Sequence, residues 1–368
     1  MKKDFDRIIR KYVFAGRDSM SLDRAHSAYL AEFRRQHPDA DESEAGSLWQ
    51  FQYFFKKNYT PAEKARGRSS RIAYAKDYRS LTGTIYDVVR APGSIYEIDS
   101  TPDNITLVSE ADRTKIIGRP VLYLVADVYT GMIAGFSLQF ENASFDMAAD
   151  AIYNAISDKV ALCKKYDIEI DEEQWPIKGV PAKIVADNGE LRSDQIQNLC
   201  TAYNVEASLT APYHADMKPV VERAIGLVQQ ELRHFVTGVK DPIALKKAGG
   251  KDARLDATLT LKEYTQAVIR VIIALNHRVR QCTPAALPAN IKPTPLELWN
   301  WAKGRGNSDL RSAGTGNLRM VLSRHFDCTF SKYGINVEGI RYFCDRANEL
   351  GYSVTLMFRL AVFQDHNW

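Results

Sequence analysis

The sequence lacks the hydrophobic segments that would place it in or across a membrane. Its longest apolar runs, such as residues 121–126, are far shorter than a membrane-spanning helix. The first residues, MKKDFDRIIRKY, contain no apolar signal segment. We therefore expect a cytoplasmic protein with no membrane partner.

The sequence also lacks the cysteine and histidine patterns of disulfide frameworks and zinc sites. Its five cysteines are widely spaced and odd in number, as is typical of reduced thiols. Its seven histidines form no HExxH or HxxxH pair. The composition therefore favours neither a disulfide-stabilised domain nor a zinc enzyme.

The chain has little net charge, only +4 over 368 residues, so its total charge points to no class of partner. Positive charge is concentrated, however, in residues 56–79, which hold eight Lys or Arg against two acidic residues. Such a segment binds polyanions because neutralised phosphates release condensed counterions, although a solvated linker has a similar composition. The candidate DNA contacts in it are Lys56, Lys57, Lys64, Arg66, Arg68, Arg71, Lys76 and Arg79.

Apolar residues at helical spacing predict a helical domain over residues 1–58. One helix would begin after Ser21, a residue type that caps helix N-termini. The repeating apolar positions of this helix and a later one are Leu22, Ala25, Tyr29 and Phe33, then Leu48, Phe51 and Phe55. A basic linker over residues 59–92 is predicted to follow, because the segment is strongly charged and ends at a Pro-Gly breaker.

Alternating strand and helix patterns replace the purely helical pattern after the breaker. The predicted strands cover residues 94–99, 105–108, 121–126, 132–140, 183–186 and 205–209. The predicted helices cover residues 146–165, 193–203, 219–235 and 261–276. This order predicts an α/β fold: a ribonuclease-H-like mixed sheet flanked by helices, over residues 93–303. Residues 304–368 begin with a Gly-rich linker and continue with short strand-like runs, which predict a small β-barrel.

Three acidic residues occupy positions where such a sheet places catalytic groups. Asp99 ends the first strand and Asp187 ends a later one. Glu222 lies outside the apolar arc of the helix over residues 219–235. Each has an ordinary structural explanation, as a strand-end acid, a turn initiator and a solvent-facing glutamate. Their joint occurrence on this order of elements favours a shared catalytic site.

Three clustered carboxylates repel one another without a cation. Carboxylate oxygens suit Mg²⁺ or Mn²⁺, and two such ions per active site would promote phosphodiester cleavage. We therefore expect Asp99, Asp187 and Glu222 to be both catalytic residues and metal ligands. Replacing any of them with Ala is expected to abolish the chemistry and to leave stability equal or higher, because repulsion is relieved.

Five stretches of the sequence resemble the DDE transposase and retroviral integrase superfamily, most closely the TnsB family and more distantly phage Mu transposase. They are GSIYEIDST (93–101), KIIGRPVLYLVADVYTGMIAGF (115–136), IVADNGEL (184–191), PYHADMKPVVERAIGLVQQEL (212–232) and DARLDATLTLKEYTQ (252–266). The resemblance implies that Asp99, Asp187 and Glu222 are the family's catalytic triad. It further implies cleavage of 3′ ends and transfer of the freed 3′-OH into target DNA.

The resemblance also implies partners for this chain. Transposon-end DNA and target DNA would be bound by the helical domain, by the basic segment, and by Lys218 and Arg223 beside the triad. Other copies of the chain would join in a DNA-dependent multimer. An AAA+ ATPase regulator like TnsC and an endonuclease like TnsA are further implied partners. Because family members carry additional N-terminal domains and a longer C-terminal region, we expect this chain to be part of a longer bacterial transposase.

Two other function classes remain compatible with parts of the pattern. A catalytically silent DNA-binding or scaffold protein could use the same fold, although the intact acidic triad argues against it. A metal-free hydrolase such as a glycosidase needs only two carboxylates. It has no use for the third carboxylate or for the basic segment, and it would remain active in EDTA.

Overall fold

The structure, a computed structural model, describes most of the chain. The described residues are 1–70, 73–74, 89–140, 145–187, 194–210, 218–235, 257–280, 287–331, 334–337, 339–342 and 357–362. Within them, no helix combines the length and the apolar character needed to cross a bilayer. The chain divides into an N-terminal helical unit and a larger unit that contains the sheets, and each is described separately below.

The N-terminal unit is built from short helices with locally encoded beginnings. Helix α1 (Lys2–Ile8) continues into a π-helical turn and is followed by α2 (Leu22–Gln36), α3 (Leu48–Asn58) and α4 (Pro61–Arg68). Ser21 caps α2 by accepting a hydrogen bond from the Arg24 amide, as the sequence predicts. Ser47 and Thr60 cap α3 and α4 in the same way.

Aromatic side chains form much of the core of this unit. The ring of Phe5 packs edge-on against Tyr29 and Phe51, with centroids 5.0 Å apart in both pairs. The buried residues are Phe5, Ile8, Ile9, Val13, Ala25, Tyr29, Phe51, Phe55 and Tyr59. The predicted apolar faces of α2 and α3 therefore do form a common core.

The prediction that residues 59–92 form a linker is wrong at its start. Residues 61–68 are helix α4, because Thr60 and Glu63 form a capping box and Pro61 fits the first helical turn. The helix packs on the N-terminal core: Lys64 and Arg68 lie over the ring of Phe55 at 5.3 and 4.9 Å. Long basic side chains cover apolar surface with their stems, so high charge in this segment did not exclude a packed helix.

The larger unit contains a five-stranded mixed sheet. Its strands are β1 (Ile95–Pro102), β4 (Val121–Asp127), β5 (Ile133–Gln139), β6 (Lys183–Asp187) and β7 (Glu206–Thr210), arranged in the order β5-β4-β1-β6-β7. Strands β1, β4 and β5 pair antiparallel, whereas β6 and β7 run parallel to β1. A small hairpin, β2 (Leu107–Val108) with β3 (Ile116–Gly118), lies between β1 and β4 in the sequence. The predicted mixed sheet is confirmed.

Helices cover this sheet, and strands β4 and β5 are accordingly buried along nearly their whole length. They are α5 (Phe145–Ile156), α6 (Lys159–Lys165), α7 (Asp194–Tyr203), α8 (Pro219–Phe235) and α9 (Leu261–Asn276). The single helix predicted over residues 146–165 is wrong, because it is divided into α5 and α6. Asp158 adopts an extended conformation there and caps α6 through the Val160 amide. Helix α8 packs against β1 and β4.

The predicted division at residue 304 is also wrong. After α10 (Pro295–Gly304), helix α11 (Thr315–Leu322) buries Leu318 and Leu322 in the core of the large unit. The part predicted as a Gly-rich linker includes Arg311, which forms a β-bridge with Val180. These contacts attach the segment to the core of the large unit, because its spaced apolar residues pack there despite the glycines around them.

The last described strands form a second sheet. They are β8 (Arg324–Ser331), β9 (Gly334–Val337), β10 (Ile340–Tyr342) and β11 (Met357–Val362), in the order β10-β9-β8-β11. All their pairings are antiparallel. The predicted β-structure is present, but β10 and β11 have no pairing with each other within the described residues, so closure into a barrel is not confirmed.

Two glycines of the large unit provide a test of how helices pack on the five-stranded sheet. A Cβ at Gly135 of β5 would lie 2.4 Å from the backbone nitrogen of Ala155 in α5, whereas one at Gly226 of α8 would meet nothing within 4 Å. We expect Gly135→Ala to destabilise the protein by about 1–3 kcal/mol through overpacking. Gly226→Ala should stabilise it by about 0.5–1 kcal/mol. Urea unfolding of both variants measures this, and equal midpoints would contradict the described packing.

Candidate active site

Asp99 and Asp187 lie on two adjacent parallel strands. Asp187 ends β6, whereas β1 continues three residues beyond Asp99 to Pro102, so the prediction that Asp99 ends its strand is wrong. Glu97 of β1 stands opposite Val185 of β6, and each aspartate follows two residues later. Because β1 and β6 run in the same direction, both carboxylates reach one edge of the sheet. This is the edge where open α/β sheets place functional groups.

The side chain of Lys218 joins the two aspartates. Its ammonium nitrogen lies 2.9 Å from Asp99 Oδ1 and 3.0 Å from Asp187 Oδ1, and it also donates to the carbonyl oxygen of Ile98 at 3.3 Å. Lys218 is 3% exposed. Two carboxylates thus share one buried cation.

The charges at this site support one another. Burial acts to lower the pKa of Lys218, but the hydrogen bonds and charges of Asp99 and Asp187 outweigh it and raise that pKa overall. The ammonium ion therefore stays protonated and neutralises the repulsion between the aspartates. We expected alanine at either aspartate to relieve repulsion, but the two aspartates already share a cation. Removing one carboxylate would instead leave the buried ammonium ion of Lys218 with fewer partners.

Glu222 lies in the first turn of α8, one turn beyond Lys218. The Glu222 amide donates to the Lys218 carbonyl oxygen at 3.2 Å. Burial, and to a smaller extent the charge of the Glu222 carboxylate, raise the pKa of Glu97. The Glu222 side chain is exposed. Helix α8 therefore brings Glu222 to the same region as Asp99. Within the described residues, however, no three carboxylate, histidine or cysteine side chains are grouped closely enough to hold a metal ion.

Glu97 is a buried acidic residue that the sequence analysis missed. It is 0% exposed, and its Oε2 accepts hydrogen bonds from the amides of Val220 and Val221, both at 2.9 Å. Burial raises the pKa of Glu97 to about 7, although these hydrogen bonds oppose the rise. An acidic residue two positions before Asp99 in a strand was the available signal, since alternate residues share one face of a strand.

The predicted DNA contacts fall into three groups. Lys56, Lys57, Arg66 and Arg68 are exposed at the ends of α3 and α4, and Lys64 is half-buried beside them. Arg223 is exposed on α8, whereas Lys218 is already bound to three oxygen atoms and is not available to a phosphate in this arrangement. Arg71, Lys76 and Arg79 lie outside the described residues.

Two family profiles match the chain, one in its N-terminal helical unit and the other in its larger unit. Residues 1–74 match the TnsB transposase helix-turn-helix domain, and residues 97–238 match the TnsB C-terminal domain. The chain is 36% identical over 321 residues to the transposon Tn7 transposition protein TnsB of Escherichia coli. The matched region covers 86% of this chain and 46% of that protein, so the chain spans about half the length of this relative.

Solved structures of retroviral integrases are also similar to the chain. The catalytic core domain of BIV integrase matches with a TM-score of 0.30 and 14% identity, covering 58% of this chain and 98% of that one. The dimeric form of the HTLV-2 integrase catalytic core domain in complex with magnesium matches with a TM-score of 0.31 and 16% identity, covering 57% and 97%.

The buried ion pairs of Lys218 can be tested by unfolding. Lys218→Met keeps the aliphatic volume but leaves Asp99 and Asp187 without their shared cation. In EDTA buffer we expect a loss near the lower end of the roughly 3–5 kcal/mol that unpairing a buried charge costs, because Asp187 is half-exposed. Urea unfolding measures the loss.

The matched control is Lys183→Met. Lys183 pairs with Glu206 at 2.7 Å, but that carboxylate is 68% exposed, and surface ion pairs contribute only about 0–1 kcal/mol. Equal urea midpoints for the two variants would show that Lys218 contributes no more than a surface lysine.

Proposed function

Because this chain is a relative of the TnsB transposases and carries their helix-turn-helix and C-terminal domains, we propose that it is a DDE-type DNA transposase. It would cleave 3′ strands at transposon ends and transfer the freed 3′-OH into target DNA. The catalytic residues would be Asp99, Asp187 and Glu222. Cleavage uses water as the nucleophile and strand transfer uses the 3′-OH, so one site would serve both steps.

The observation that carries this proposal is the convergence of Asp99 and Asp187 on one cation. Each carboxylate places an oxygen atom within 3.0 Å of the same ammonium nitrogen. These anionic oxygens are the ligand type that Mg²⁺ and Mn²⁺ prefer, so the two residues fit a divalent cation. Glu222 would join them as the third ligand from the first turn of α8.

Two divalent ions bound there would activate the attacking oxygen and stabilise the leaving oxygen of the phosphodiester. The protein would contribute rigid placement of the ligands. Asp99 and Asp187 are fixed by the parallel pairing of β1 and β6. Lys218 holds these two carboxylates at a common point and would have to release them for a divalent ion to be bound.

DNA would be bound away from the triad as well as at it. The exposed lysines and arginines at the ends of α3 and α4, in the region that matches the helix-turn-helix profile, would contact phosphates of the transposon end. Arg223, next to Glu222, would contact a phosphate near the cleaved bond. We propose further that copies of the chain assemble on paired DNA ends, with a TnsC-like ATPase and a TnsA-like endonuclease as partners.

Conservative triad variants test the chemistry without unfolding the site. Asp99→Asn, Asp187→Asn and Glu222→Gln keep side-chain shape, and Asn can still accept a hydrogen bond from Lys218. On a branched DNA that mimics the strand-transfer product, with Mg²⁺ or Mn²⁺, wild type should cut and rejoin strands. Each variant should lose at least about a hundredfold in rate, since each removes a charged metal ligand.

The matched control is Glu231→Gln on the same helix, which alters a carboxylate that pairs with Arg278 at 2.7 Å. It should retain wild-type turnover, and all four variants should bind the DNA as wild type does. Turnover by a triad variant at the control's rate would refute the proposed site. Metal-independent turnover by wild type would indicate a different hydrolase chemistry, and DNA binding without turnover would indicate a scaffold protein.

A further inference from the structure

Within the part of the chain that the structure describes, helix α8, which carries Glu222, begins without a capping side chain from an adjacent residue. The carbonyl of Lys218 accepts the first intrahelical hydrogen bond, so Lys218 occupies the cap position. A lysine side chain has no acceptor atom, and this one is already directed to Asp99 and Asp187. By contrast, α3, α4, α9 and α10 are capped locally by Ser47, Thr60, Thr260 and Thr294.

The missing cap is supplied by a strand more than a hundred residues earlier in the chain. One carboxylate oxygen of Glu97, on β1, accepts hydrogen bonds from the amides of both Val220 and Val221, at 2.9 Å each. These are two of the first-turn N–H groups that an α-helix leaves without internal partners. The negative charge of a carboxylate also suits the positive end of the helix dipole.

This cap connects the elements that carry the acidic residues. Glu97 and Asp99 are two positions apart on β1 and therefore share one face of the strand, while Val221 immediately precedes Glu222 on α8. Glu97 also stands opposite Val185 on β6, two residues before Asp187. One buried carboxylate thus sets the start of the Glu222 helix against both aspartate strands.

We propose that Glu97 is a positioning residue for the reaction, which holds the first turn of α8 so that Glu222 reaches the ions bound by Asp99 and Asp187. The proposal rests on the proposed function of the triad. Glu97 is fully buried and acts through the helix. Its second oxygen, Oε1, has no hydrogen-bond partner within the described residues. A glutamine at this position can therefore supply the one oxygen that the two amides use.

Mn²⁺ binding to the full chain tests this role without turnover. Titration calorimetry should show Glu97→Ala binding Mn²⁺ about 10–100-fold more weakly than wild type, the usual effect of removing a group that orients a ligand. Glu97→Gln should restore most of the affinity. In a Glu222→Gln background, Glu97→Ala should cause no further loss, because the two residues act through the same ligand.

The matched control is Asp127→Ala. Asp127 is also fully buried, and it accepts hydrogen bonds from two backbone amides, those of Gly93 and Thr130. It ends β4 opposite Tyr96, three register positions from the Leu124 that pairs with Asp99. The Asp127→Ala variant should be less stable than wild type but should bind Mn²⁺ with the same affinity. Hydrogen exchange should show faster exchange of the Val220 and Val221 amides in Glu97→Ala and unchanged exchange there in Asp127→Ala.

The outcomes separate the two proposals. If wild type and Asp99→Asn bind Mn²⁺ equally, the proposed metal site fails, and the exchange data still report whether Glu97 holds the helix. If wild type binds Mn²⁺ through Asp99 but Glu97→Ala binds equally well, the positioning role is overturned. The same holds if Glu97→Ala weakens binding by the same factor in the presence and absence of Glu222, or if Gln fails to restore it.

Discussion

The ammonium group of Lys218 allows two carboxylates to share the edge of the sheet. Asp99 and Asp187 are brought there by the pairing of β1 with β6, and their like charges repel one another. The ammonium nitrogen of the buried lysine lies within 3.0 Å of an oxygen atom of each and offsets this repulsion. In the proposed reaction the two carboxylates would exchange this contact with Lys218 for a divalent cation.

Helix α8 depends on the sheet in a way that its neighbours do not. Most described helices with an identified cap begin at a serine, threonine or aspartate that is adjacent in sequence. Helix α8 instead takes its acceptor from Glu97 on β1. This cap forms when β1 is in place, so it ties the start of the Glu222 helix to the folded sheet.

In the N-terminal unit, apolar residues form the core and basic residues lie on the outside. Its core is an aromatic cluster in which Phe5 contacts two other rings, and the basic side chains of α4 lie over the outside of Phe55. The cationic ends of α3 and α4 remain at the surface. The cluster thus supplies stability, while the exposed charge stays available for a polyanionic partner.

The sequence by itself determined the elements whose signals are local. Apolar periodicity identified α2 and α3, the serine cap at Ser21 identified the start of α2, and the continuous apolar run over residues 121–126 identified β4. The order of elements predicted the mixed sheet and the position of Asp187 at the end of its strand, whereas β1 continues beyond Asp99. Local signals misled where two of them competed: the charge of residues 59–68 concealed a capped helix, and the glycines near residue 310 concealed a segment that packs into the core.

Only the tertiary structure decided how the acidic residues are held. That Lys218 bonds to Asp99 and Asp187, and that Glu97 caps a helix from β1, follows from contacts between residues about 30 to 120 positions apart. The sequence records which side chains carry charge but not which of them meet, because burial and strand register set those distances. The sequence therefore suggested a phosphate contact for Lys218 and no role for Glu97. The fold shows that both residues act at the start of α8.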